Sequence, residues 1–188
     1  MPKINNMTRR ERRAAARRTQ ILEAAAAVFS RKGYERATTR EIAERIGVVL
    51  RQHGRDVDVT SVKEIGDISA YGAAVIGSPV NFAKWLPEAV DFVQAKQDAL
   101  AKIPVALFTV YMHAQGDDSI SEQTRQTYID AIRPLVNPVD MAFFTGRTSR
   151  QVLDKLMPDV INDLEPPTDF INWESIMTWA AGLAESLK

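Results

Sequence analysis

The chain has 188 residues, 24 Lys+Arg against 24 Asp+Glu, two His and no Cys, and 45% of it is hydrophobic. That size fits one domain with a short appendage, and the apolar share excludes wholesale disorder. The missing Cys excludes disulfides, a thiolate nucleophile, Cys-bound zinc and iron–sulfur clusters.

The zero net charge hides a split. Residues 1–55 hold 14 Lys+Arg and 5 Asp+Glu, whereas residues 56–188 hold 10 and 19. A basic arm facing nucleic acid or a membrane, or two segments of different origin, carries such an asymmetry. The arm begins with six Arg within residues 9–18. Each can neutralise a phosphate and give salt-dependent, sequence-independent binding, or can simply solvate a tail. No apolar run nears the roughly 18 residues of a membrane span. No signal core follows the basic start, so a cytoplasmic protein is expected.

From Arg17 to about Lys32, Ile21, Leu22, Ala25, Val28 and Phe29 fall on one helix face, and the four Ala from Ala24 to Ala27 raise helix propensity. Gly33 stands where that helix would stop. Thr38-Thr39-Arg40-Glu41 has the spacing of a capping box, with Thr38 as N-cap. The helix that follows presents Ile42, Ala43, Ile46, Val49 and Leu50, reaches about His53 and ends at Gly54. Val57 and Val59 alternate with Asp56, Asp58 and Thr60, which predicts a short strand with one wet face.

Ala73–Ile76, Val105–Phe108 and Ala142–Phe144 are short continuous apolar runs, the pattern of strands buried on both faces. Helical patterns separate them over about Phe82–Lys102 and Ser121–Val136, and a last helix runs from Trp173 to Leu187. Trp85 is expected to pack its helix on the sheet, and Trp173 and Trp179 to lie in the core and boundary of the last helix. Strands alternating with helices predict an α/β fold, a doubly wound parallel sheet with four clear strands and an N-terminal helical extension. Unpaired buried edges invite association, so a homo-oligomer is expected if no further strand completes the sheet.

From Thr38 onward the chain resembles a flavodoxin-like domain. The resemblance is carried by Thr39–Ala43, Val57–Val59, Tyr71–Pro79, Pro104–Phe108 and Asp169–Glu174. Within that fold it is most similar to the protoporphyrinogen-dehydrogenase subgroup. Residues 10–48, through Arg18–Ala25, Phe29, Gly33-Tyr34, Thr38-Thr39 and Ile42–Val48, resemble the start of a TetR-type repressor. Together these imply a basic helical segment, 1–37, ahead of a flavodoxin-like domain, 38–188. Each pattern breaks at its functional centre. Where a repressor has its recognition helix, Val49–Gly54 extends the preceding one. The flavodoxin-like first strand should lie just before Thr39, where Ala24–Ser30 reads as helix, or alternatively as strand Ala26–Phe29 followed by Ser30.

The flavodoxin resemblance implies FMN at the carboxyl ends of the strands. Ser30, Thr38 and Thr39 match the hydroxyls around its phosphate, although Thr38 serves equally as a helix cap. Ser78, Pro79, Val80, Asn81 and Phe82 match one ring-binding loop, Thr109, Tyr111 and His113 another, and Gly146-Arg147 a closing turn. The implied activity passes electrons from a donor such as a porphyrinogen to a quinone or redox partner, with catalytic residues unassigned. His113 with Asp117 and Asp118 is either acid–base chemistry or solvated surface; no metal site is expected. The repressor resemblance implies DNA contacts from Arg9, Arg10, Arg12, Arg13, Arg17, Arg18, Thr38, Thr39 and Arg40. A third reading is a hybrid with neither activity.

Overall fold

The computed structural model describes residues 34–111, 119–146 and 171–187. In chain order the elements are α1 (Tyr34–Gln52), β1 (Ala74–Asn81), β2 (Lys84–Trp85), α2 (Pro87–Ala95), α3 (Gln97–Leu100), β3 (Val105–Tyr111), α4 (Ser119–Thr127), β4 (Asp140–Thr145) and α5 (Trp173–Ser186). The sheet order is β2-β1-β3-β4. Strands β1, β3 and β4 are parallel, with Ile76 beside Leu107 and Phe108 beside Ala142, and β2 folds back antiparallel on the end of β1.

Side chains alternate across the sheet and fill two cores. On one face Ala106, Phe108, Val110 and Phe144 meet Ile42, Ile46, Val49 and Leu50 of α1 and Ile176, Ala180 and Leu183 of α5. On the other, Ile76, Val105 and Leu107 meet Trp85, Ala89, Val93, Leu100, Ile129 and Ile132. Helices thus cover both faces, which is why these strands are continuous apolar runs and why the sheet is doubly wound. Phe108, Phe144 and Trp179 form an aromatic cluster with centroids 5.5–6.5 Å apart.

Several expected elements differ. Helix α1 begins at Tyr34, so Thr38 lies a turn inside it and is not its N-cap. Its other end is as expected, at Gln52 followed by Gly54 in the left-handed region (φ 78°). Val57 and Val59 form no strand. Their half-buried, alternating pattern comes from packing beside α1, where Arg51 donates to the Val57 carbonyl oxygen, and not from a ladder. The expected helix over Phe82–Lys102 starts only at Pro87, because residues 81–85 turn back as a hairpin. The helix expected over Ser121–Val136 ends at Thr127 and continues as turns ahead of Pro134, whose missing N–H and ring disfavour a continuing helix. Among the described residues no helix is long and apolar enough to cross a membrane.

Candidate functional site

The carboxyl ends of β1, β3 and β4, where ligands of open α/β sheets bind, carry three features. The first is the β1–β2 hairpin. Asn81 pairs with Lys84, leaving Phe82 and Ala83 as a two-residue loop with φ of 49° and 58°. Two left-handed residues are what a type I′ turn requires, normally of Asn and Gly. Here non-glycine residues hold that conformation, and such strain collects at ligand clamps. The hairpin lifts Phe82 to 55% exposure, while the Oδ1 of Asn81 is buried with no hydrogen-bond partner among the described residues.

The second feature is Tyr111 at the end of β3. Arg125 lies over its ring at 5.6 Å, and Tyr128 flanks it at 6.4 Å. Burial, and then the neighbouring Tyr111, push the Tyr128 hydroxyl above its usual pKa, with Arg125 opposing. The third feature is the approach of α1 to the same rim. A Cβ on Gly146 would stand 3.0 Å from Val110 and 3.7 Å from the Thr38 methyl, and the Gly146 N–H donates to the Tyr111 carbonyl oxygen at 2.8 Å. Thr38, Tyr111 and Gly146 are therefore brought together.

Other expected site residues are placed differently. Ser78 and Pro79 lie buried within β1, not in an open loop. The Ser78 hydroxyl accepts from the Leu86 N–H at 3.1 Å and donates to the Pro79 carbonyl oxygen at 2.9 Å. Thr109 is buried inside β3, where its Oγ1 accepts from the Trp85 indole N–H at 2.9 Å. Both hydroxyls bond groups in or beside the β1–β2 hairpin. The sequence reading places both in ring-binding loops, with Ser78 at the ring edge; here each lies within a strand. Thr38 and Thr39 are buried along α1, so their hydroxyls do not sit at a helix start. Val80 is half-buried beside Trp85 at the base of the hairpin.

Arg40 is exposed and paired with Glu44 at 3.0 Å, whose carboxylate raises the guanidinium pKa. Ser30, His113, Asp117, Asp118, Arg147 and the arginines at positions 9–18 lie outside the described residues. Arg125 and Tyr128 were not anticipated at the rim, because their spacing reads only as one face of a solvated helix. Trp173 and Trp179 pack on the core of α5 as expected, with Arg45 over Trp173 at 5.6 Å.

The rim thus holds a buried acceptor, Asn81 Oδ1, that has no hydrogen-bond partner among the described residues, next in sequence to the exposed Phe82 ring. No comparable cradle for the phosphate is formed by Thr38 and Thr39 in their buried positions.

A family model described as a flavodoxin domain matches residues 27–164. No curated protein matches the chain. Among solved structures, rubredoxin:oxygen oxidoreductase from the anaerobe Desulfovibrio gigas is 16% identical with a TM-score of 0.47. The alignment covers 80% of this chain and 33% of that one, so the chain spans a third of its length. A flavodoxin from the domain Archaea is 17% identical with a TM-score of 0.46, covering 83% and 92% of the two chains. The two-electron reduced flavodoxin of Megasphaera elsdenii is 18% identical with a TM-score of 0.44, covering 80% and 93%.

Proposed function

The chain belongs to the flavodoxin domain family, and from that premise we propose that it is a redox protein that holds FMN at the carboxyl rim of its sheet. The observation that carries this reading is the buried Asn81 Oδ1, without a partner among the described residues, beside the exposed Phe82 in the turn at the end of β1. Asn81 would accept a hydrogen bond from the ring edge, and Phe82 would cover one face. The strained hairpin would fix both before the ligand arrives, reducing the ordering cost of binding. Tyr111, screened on one side by Arg125, would close the opposite wall. When bound, FMN supplies reversible one- and two-electron transfer, and the protein contributes position, polarity and exclusion of water.

Titration of the full chain with FMN to about 10 μM tests the reading at an affinity near −7 kcal/mol. Quenched flavin fluorescence with a shifted visible band is expected, and an unchanged spectrum overturns it.

The finer reading is protoporphyrinogen-dehydrogenase-like electron transfer from a porphyrinogen to a quinone, supported by the residues over Tyr71–Pro79 and Asp169–Glu174. Its test is flavin reduction by a porphyrinogen under anaerobic conditions; no bleaching counts against it. A second reading, DNA binding through the basic arm, is favoured by the surplus of nine positive charges in residues 1–55. A gel shift lost near about 150 mM salt without sequence preference would reduce it to phosphate contacts alone.

A further inference from the structure

At one register of the sheet two hydroxyl residues stand side by side: Ser78 of β1 and Thr109 of β3 are Cα partners, and both are buried. Burying a hydroxyl between two helical layers costs free energy unless it is hydrogen-bonded. Both hydroxyls bond the same short stretch of chain. The Trp85 indole N–H donates to Thr109 Oγ1 at 2.9 Å, and the N–H of the next residue, Leu86, donates to Ser78 Oγ at 3.1 Å. Because β1 lies between β2 and β3, the Trp85–Thr109 bond reaches across a whole strand and ties the hairpin to an inner one. Leu86 is the N-cap of α2, so the chain is fixed on leaving the hairpin as well.

The hairpin needs such a tie. Strand β2 has only two residues, Lys84 and Trp85, and so short a ladder is marginal by itself. Its turn holds Phe82 and Ala83 at φ of 49° and 58°, a conformation that persists only where the surroundings fix it. We propose that Ser78 and Thr109 are positioning residues. Through Leu86 and Trp85 they latch the β1–β2 hairpin in the strained form that presents Asn81 and Phe82. The inference rests on the FMN reading for what the turn is held to bind, and on these two bonds for the latch itself.

Hydrogen exchange on the flavin-free full chain tests the latch. In Thr109→Val and in Trp85→Phe the amides of residues 80–86 should exchange at least about tenfold faster, while 74–78 and 105–108 keep their protection. Ser78→Ala should do the same at the Leu86 amide, and Thr109→Ser should restore the wild-type pattern. Unchanged exchange over 80–86, or no rescue by Thr109→Ser, overturns the proposal. So does loss of protection throughout the sheet, which would mean that the bonds hold the core and not the turn.

FMN titration of the same proteins tests what the latch serves. Affinity should fall about tenfold or more in Thr109→Val and in Trp85→Phe and return to within about threefold in Thr109→Ser. The double variant should bind no more weakly than the weaker single one, because each substitution removes the same bond. Additive losses, or undiminished affinity with a loosened hairpin, overturn the proposal. If the wild-type chain itself leaves FMN unbound, the FMN reading falls and the exchange pattern alone decides the latch.

Discussion

The ring of Phe108 lies across Gly77, so near that a Cβ built on residue 77 would stand 1.9 Å from the ring's Cζ. The two residues are register partners on adjacent parallel strands, and Ala142 flanks Phe108 on the other side. One large ring between two small neighbours lets the core against α1 and α5 close over the sheet.

Gly77→Ala is therefore expected to push the Phe108 ring off its rotamer and cost about 1–3 kcal/mol, the usual penalty for overpacking. Urea unfolding followed by circular dichroism checks it. A loss below about 0.5 kcal/mol would mean that the ring has room to move.

The three parallel strands were legible because burial on both faces erases the polar positions of an ordinary strand. Val105 to Val110 is buried without a break, and the sequence shows it. The β1–β2 hairpin was illegible because Phe82-Ala83 carries none of the Gly or Asn that marks a left-handed turn. Val57 and Val59 misled for the opposite reason: half-burial beside a helix imitates the period of a half-buried strand. Thr38–Glu41 has the spacing of a cap, yet the local signal yields to a helix already begun at Tyr34. Of the rim, Asn81 and Phe82 could be named from sequence, whereas the inward hydroxyls of Ser78 and Thr109 depend on a tertiary partner that no local pattern records.

Ala83→Gly relieves left-handed strain at one of the two turn positions. Stability should rise by about 0.5–1 kcal/mol, the L-residue penalty less the added freedom of the unfolded chain. Thermal unfolding measures it, and an unchanged midpoint would show that the turn is not strained.

Asn81→Leu separates fold from ligand. Removing a buried acceptor that has no partner among the described residues should leave the flavin-free chain as stable or up to about 1 kcal/mol more stable. Affinity for FMN should fall about tenfold or more, the worth of roughly 1.4 kcal/mol. Equal FMN affinity in the two proteins would remove Asn81 from the site.

Tyr71 donates its hydroxyl to Asp58 Oδ2 at 2.9 Å, tying the segment after α1 to the entry of β1. That hydrogen bond, and the nearby carboxylate charge, raise the Tyr71 pKa above its usual value near 10. The neutral phenol is the form the fold favours, so its stabilising effect is present below about pH 10 and is lost as pH rises through the raised value. Tyr71→Phe should flatten this alkaline loss in denaturation curves between about pH 8 and 11. Identical pH profiles for the two proteins would show the bond to be inert.

The division of the interior by the sheet has an optical consequence. Trp85 stands in one core, while Trp173 and Trp179 pack on the other. Replacing either group with Phe leaves fluorescence that reports a single layer. Whether the two layers melt together or in sequence then becomes readable from the emission of one chain.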